Sequence, residues 1–208
     1  MIRILLIRHG STDLLGRVLY GRMPGIHLND EGNRQAREVG QALKNRYELR
    51  EILSSPLERA VETAKWVADA QGLSVGVDEA LLEVDIGEWT GKSFAELEEI
   101  SDWKHYNRIR SMTSPPGGES MMEVQSRASR TIEKIQTRYK NDSDATVALV
   151  THGDVVRALL LLLLGMSLDH IHRLEVAPAS VSEVLFYGAH PRVRGFNLIL
   201  YNEAHEKA

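Results

Sequence analysis

The chain has 208 residues, enough for one domain with a substantial core and room for a small appended lobe. Hydrophobic residues make up 43% and charged residues 26%, ordinary for a soluble globular protein, and a formal charge of −4 argues against a nucleic-acid binder. There is no cysteine, which removes disulfides, thiolate metal sites and cysteine nucleophiles together and fits a reducing cytosol.

Residues 2–7 form a near-continuous apolar run, the pattern of a strand buried on both faces. The run is short, is interrupted by Arg3 and leads into charged sequence, so it does not read as a secretory signal. A helix begins near Asn29, with Ala36, Val39 and Leu43 at helical spacing. A second strand is predicted over residues 52–55, ending in Ser55-Pro56-Leu57-Glu58, read as a capping box with proline at the first helical position. The helix that follows places Leu57, Ala60, Val61, Ala64, Val67 and Ala68 on one face and stops at Gly72.

Residues 86–122 lose this periodicity and read as a small helical cap over the sheet, closed by the loop Ser114-Pro115-Pro116-Gly117-Gly118. A long amphipathic helix follows, with Met121, Val124, Ala128, Ile132, Ile135 and Tyr139 on one face. Residues 146–150 form a third buried strand, and 155–164 a core helix ended by Gly165, too short to span a bilayer. Late strands are expected at 181–187 and 192–201, and the polar tail after Asn202 is expected to be mobile. This order predicts an α/β three-layer sandwich, with a mostly parallel central sheet and helices on both faces. The whole of 1–208 reads as a single domain carrying the cap, located in the cytoplasm and without contact to membrane or nucleic acid.

In such folds ligands gather beyond the carboxyl ends of the strands. Arg8-His9-Gly10 follows the first strand, Arg59 lies in the first helical turn after the second, and Thr151-His152-Gly153 follows the third. Glu83 leaves a less regular extended segment. Singly these residues have ordinary explanations: a strand-end arginine, a core histidine, a solvated arginine, a surface carboxylate. Arg59 fits its explanation poorly, because a cation in a first turn opposes the helix dipole. Together, two arginines, two histidines and a helix N-terminus make a pocket for a compact multiply charged anion, with phosphate the obvious one. The arginines would keep His9 neutral and nucleophilic, and a carboxyl group opposite would protonate the departing oxygen and then deprotonate water.

These motifs, in order across nearly the whole chain and joined by Ser54-Ser55-Pro56 and Pro116-Gly117-Gly118-Glu119-Ser120, resemble the histidine phosphatase superfamily, the phosphoglycerate-mutase-like proteins. The resemblance implies His9 as the phosphorylated residue and Glu83 as proton donor and acceptor. It also implies that Arg8, Arg59, His152 and Gly153 hold the phosphoryl group, with no metal or other cofactor. Leu14-Leu15 stands where members often carry an asparagine, and Gly21-Arg22 where substrate approaches. Arg22 either replaces lost polar contacts or points outward. The expected activity is a phosphatase acting on a small phosphorylated metabolite. The alternatives are a phosphoglycerate mutase, kept open by the cap residues Lys92, Lys104, Arg108 and Arg110, and a non-catalytic phospho-ligand module. A two-histidine metal site at His9 and His152 conflicts with the cation of Arg8. His170 and His172 read as surface or cap residues. Family members are often dimers, so a homodimer is an expectation too.

Overall fold

The computed structural model describes residues 1–142 and 144–202, so the tail after Asn202, expected to be mobile, lies outside the described residues. Six strands, β1 (Ile2–Arg8), β2 (Glu51–Ser54), β3 (Val75–Val77), β4 (Ala145–Thr151), β5 (Val181–Tyr187) and β6 (His190–Leu198), form one sheet in the order β3-β2-β4-β1-β5-β6. β1 to β4 run parallel; β5 is antiparallel to β1, and β6 to β5. The register of the central pair sets Ile2 against Ala145 and Arg8 against Thr151.

The apolar run of β1 divides by side. Ile4 and Leu6 pack with Val147 and Leu149 into a cluster shared with helices α5 (Met121–Arg138) and α6 (Gly153–Leu163). Leu5 and Ile7 pack with Ala148 and Val150 against α1 (Asp30–Lys44) and α2 (Glu58–Gln71) on the other face. Both faces are therefore covered, as parallel sheets require, and the chain has the expected three-layer architecture. The region 86–122 holds two short helices, α3 (Phe94–Leu97) and α4 (Ser101–Arg108), whose Leu97, Trp103 and Tyr106 join the α5–α6 side of the core. Trp89 anchors α4 through edge-on contacts with Trp103 and Tyr106.

Two local expectations change, and one strand is added. β3 was not legible: it is three residues long, half-exposed and centred on Gly76. Ser55 is not the cap of α2, which starts at Glu58 behind Leu57 without a side-chain cap; the Ser55 hydroxyl accepts from the Leu57 amide at 3.4 Å and lies 2.8 Å from His152 Nε2. The last strand begins at His190 and stops at Leu198, just after Asn197 turns to a positive φ of 51°. Among the described residues no helix is long and apolar enough to cross a membrane.

Candidate active site

Because β1, β2 and β4 are parallel, their carboxyl ends meet at one edge of the sheet. His9 leaves β1 one position after the Arg8–Thr151 pair, and His152 leaves β4 likewise. The His9 amide donates to the Thr151 carbonyl at 2.9 Å, and the two imidazoles stand edge-on with centroids 5.2 Å apart. Arg59 comes from the first turn of α2, directly beyond β2, and is wholly buried. Its Nη2 donates to the Gly21 carbonyl at 2.7 Å, and its guanidinium lies 4.8 Å from the centre of the Tyr20 ring. Glu83 arrives on the irregular segment after Leu81, whose carbonyl accepts a 2.6 Å bond from Thr151 Oγ1 and so docks that segment on the end of β4. A cavity of about 250 Å³ opens here, with Arg8, His9, Tyr20, Gly21, Glu83 and Gly153 on its walls. A larger, more open groove of about 710 Å³, touching Ile2, Glu133 and Lys140, lies at the opposite end of β1, away from all of these groups.

His9 Nδ1 lies 2.7 Å from the Gly10 carbonyl. A carbonyl only accepts, so Nδ1 carries the proton and Nε2 keeps its lone pair. Burial, then the cations of Arg8 and Arg59, hold the imidazole well below its ordinary pKa, so it is neutral. His152 is likewise pulled well down by burial, Arg59 and His9, and its Nε2 lies 2.8 Å from Ser55 Oγ. Glu83 moves the opposite way: burial and the carboxylate of Asp154 push it up to about 7, against the Val84 amide, Arg59 and Arg8. The site thus pairs an uncharged imidazole with a carboxyl group that holds its proton near neutrality. Arg8 Nε, Arg59 Nε, Arg59 Nη1 and His152 Nδ1 are buried and have no hydrogen-bond partner in the protein. Buried polar groups are normally paired. Four such nitrogens beside one imidazole are suited to the oxygens of an anion.

Arg8, His9, Arg59, Glu83, His152 and Gly153 are therefore brought together, and Gly21 adds both a wall and a carbonyl. Arg59 and His152 lie behind the cavity wall, and Arg22 is not on it either; the Arg22 guanidinium bonds the Glu83 carbonyl at 2.7 Å and Glu119 at 2.7 Å. Neither of the two roles considered for it describes this position. The sequence left unmarked the end of the cavity beside α4. There Arg110, buried and stacked 4.0 Å from the Tyr106 ring centre, meets Asp154 at 3.2 Å, and Arg157 meets the other oxygen of Asp154 at 2.9 Å. His172, expected only at the surface or in the cap, lines the same end and lies 3.1 Å from Asn107 Oδ1. The spacing of Asp154 and Arg157 on one helix face was a readable signal; that of Arg110 was not. Arg108 is exposed. Among the described residues no three His, Asp or Glu side chains gather as a metal-ligand group.

A bifunctional protein of Mycobacterium tuberculosis is 37% identical over 186 residues, which are 89% of this chain but 50% of that protein, so the chain spans half the length of this relative. A protein named phosphoserine phosphatase 1 from Hydrogenobacter thermophilus is 30% identical over 88% of this chain and 86% of its own. The solved structure of a mycobacterial glucosyl-3-phosphoglycerate phosphatase superposes with a TM-score of 0.84 at 26% identity, covering 94% of this chain and 98% of the other. The family model of branch 1 of the histidine phosphatase superfamily matches residues 4–199, and the chain belongs to that superfamily.

Proposed function

We propose that this protein is a phosphatase that hydrolyses small phosphomonoesters through a phosphohistidine on His9. The carrying observation is the group of four unpaired buried nitrogens, three of them guanidinium donors, beside an imidazole whose Nδ1 is tied to Gly10. His9 Nε2 attacks phosphorus as the ester P–O bond breaks, and Glu83 passes its proton to the departing oxygen. Arg8, Arg59 and His152 Nδ1 take up the charge on the phosphoryl oxygens, which is most of what a protein does in phosphoryl transfer. Water then enters from the side the alcohol left. Glu83 takes its proton, the P–N bond breaks and inorganic phosphate departs.

The names of the relatives, phosphoserine phosphatase and glucosyl-3-phosphoglycerate phosphatase, support phosphorylated metabolites as the substrate class. The cavity of about 250 Å³ favours small ones. We read the chain as one domain whose 86–122 segment is a cap, supported by the burial of Trp89, Trp103 and Tyr106 in the sheet's own core. A cytoplasmic setting is supported by the absence of cysteine. A homodimer rests on the family resemblance, and sedimentation velocity tests it.

The test of function uses a panel of labelled phosphomonoesters. The expected result is release of inorganic phosphate with an acid-labile phosphoprotein that His9→Ala abolishes. Interconversion of phosphoglycerates without phosphate release would turn the assignment to a mutase, and absence of both turnover and phosphoprotein would leave a binding module.

A further inference from the structure

Glu83 lies in a segment without regular secondary structure, between short helical turns at Glu79–Leu81 and Gly87–Trp89. No helix or strand ladder sets the direction of its side chain. The chain compensates with a cluster of charges on the far side of its peptide. Arg22 Nε and Arg127 Nη2 both donate to the Glu83 carbonyl, at 2.7 and 3.2 Å, and use both of its lone pairs. The same two guanidiniums meet on Glu119. Arg22 Nη2 reaches its Oε2 at 2.7 Å, and Arg127 reaches Oε1 at 2.8 Å and Oε2 at 3.0 Å. Arg127 Nη1 also holds the Ala80 carbonyl at 2.7 Å, and the Glu119 amide holds the Asp85 carbonyl at 2.8 Å. Both sides of Glu83 are thus tied to one unit that comes from two separate stretches of chain, the loop at Arg22 and the start of α5 with Glu119 and Arg127.

The consequence passes through the peptide plane. The unit joining the Glu83 carbonyl to the Val84 amide is flat and rigid, so fixing the carbonyl on one side fixes the direction of the N–H on the other. That N–H donates to Glu83 Oε1 at 2.9 Å. With Oε1 occupied as an acceptor, the proton of the carboxyl group sits on Oε2, and the side chain is on the wall of the cavity that also holds His9. The geometry points to Arg22, Glu119 and Arg127 as positioning residues that aim the Glu83 carboxyl at the leaving-group oxygen. The inference rests on the proton-donor role given to Glu83 above. It gives Arg22 a task one step removed from substrate.

The test compares two esters of similar size, benzyl phosphate, whose alkoxide leaves only with a proton, and 4-nitrophenyl phosphate, whose phenolate leaves without one. The ratio of their kcat/KM values reports proton donation during transfer to His9 and excludes the later hydrolysis of the phosphoenzyme. Glu83→Gln is the reference and should lower the benzyl-to-nitrophenyl ratio by about 10²–10⁴, the usual worth of a general acid. Arg22→Met and Arg127→Lys should each lower that ratio by about tenfold or more, since misplacing a reacting group by about 1 Å costs on the order of 10². A purely structural role would slow both esters alike and leave the ratio unchanged, and that result in folded variants overturns the inference. Should Arg127→Lys fail to fold, Arg22→Met decides alone, because Arg22 is the most exposed arginine of the cluster, at 31% against 12% for Arg127. An unchanged ratio in Glu83→Gln would instead remove Glu83 as the acid, and the clasp with it. A collapsed ratio there beside unchanged ratios in both arginine variants removes the clasp alone.

Discussion

Glu83→Gln should make the protein more stable at alkaline pH while disabling it. The carboxyl titrates near 4.5 when free and is pushed up to about 7 in the fold, first by burial and then by Asp154. Its folded pKa lies above the unfolded one, so between pH 4.5 and 7 the unfolded chain releases a proton that the folded chain keeps. Stability is lost through that window, and the full cost is present above it. At about 1.36 kcal/mol per pH unit, a gap of about 2.5 units amounts to roughly 3 kcal/mol. Glutamine keeps an acceptor for the Val84 amide and has no charge to bury. The stability difference between variant and wild type, from urea titrations, should therefore grow by roughly 3 kcal/mol in favour of the variant between pH 4 and pH 8. In thermal melts at pH 8 the gain is roughly 6–12 °C for a chain of this size. A difference that stays constant with pH would refute the argument, because it would show that Glu83 ionises in the fold as freely as in the unfolded chain.

Three further outcomes follow from the same structure. With benzyl phosphate, kcat/KM should fall above about pH 7 as Glu83 loses its proton, while His9 adds no acid limb because burial and two arginines already keep it neutral; stopped assays across pH 5–9 test this, and an alkaline limb that survives in Glu83→Gln would contradict it. Arg59→Met should reduce kcat/KM by on the order of 10³–10⁵, as expected for an arginine that stabilises a transferring phosphoryl group. Its urea midpoint should hold or rise, since a wholly buried cation with two unpaired nitrogens is removed; a large loss of stability would mean that Arg59 is mainly structural. Gly32→Ala should destabilise the fold by about 1–3 kcal/mol or more, because the added methyl would meet the Ser11 carbonyl oxygen at 2.1 Å, where α1 closes on the loop after His9; an unchanged melting temperature would count against that packing.

What the chain reveals before folding depends on how local the cause is. β1 and β4 are legible because strands covered on both faces need continuous apolar residues, and the two histidines are legible because they stand where those runs stop. Glu83 was recognisable by its place in an ordered set of motifs, since nothing in its irregular segment marks it as a proton donor. The Ser55 capping box gives way to a different arrangement because the shorter contact of that hydroxyl is with His152, 97 positions away, and only the fold brings the two together. Arg22 was misplaced for the same reason: its partners Glu83, Asp85 and Glu119 lie 61, 63 and 97 positions away in the chain. Arg110 reads as one cap cation among several until the fold stacks it on Tyr106 and turns it to Asp154.

The pairing of β1 with β4 also works as a ruler. The separation of the two imidazoles is set by backbone hydrogen bonds counted from Ile2–Ala145 to Arg8–Thr151 and continued by the His9 amide. Core side chains along either strand can therefore drift over generations without altering that separation. A single inserted or deleted residue within 2–8 or 145–151 would carry one histidine a full pleat along the sheet and invert its facing. Changes in length should accumulate instead between Trp89 and Pro115, ahead of the Glu119 that helps to hold Glu83.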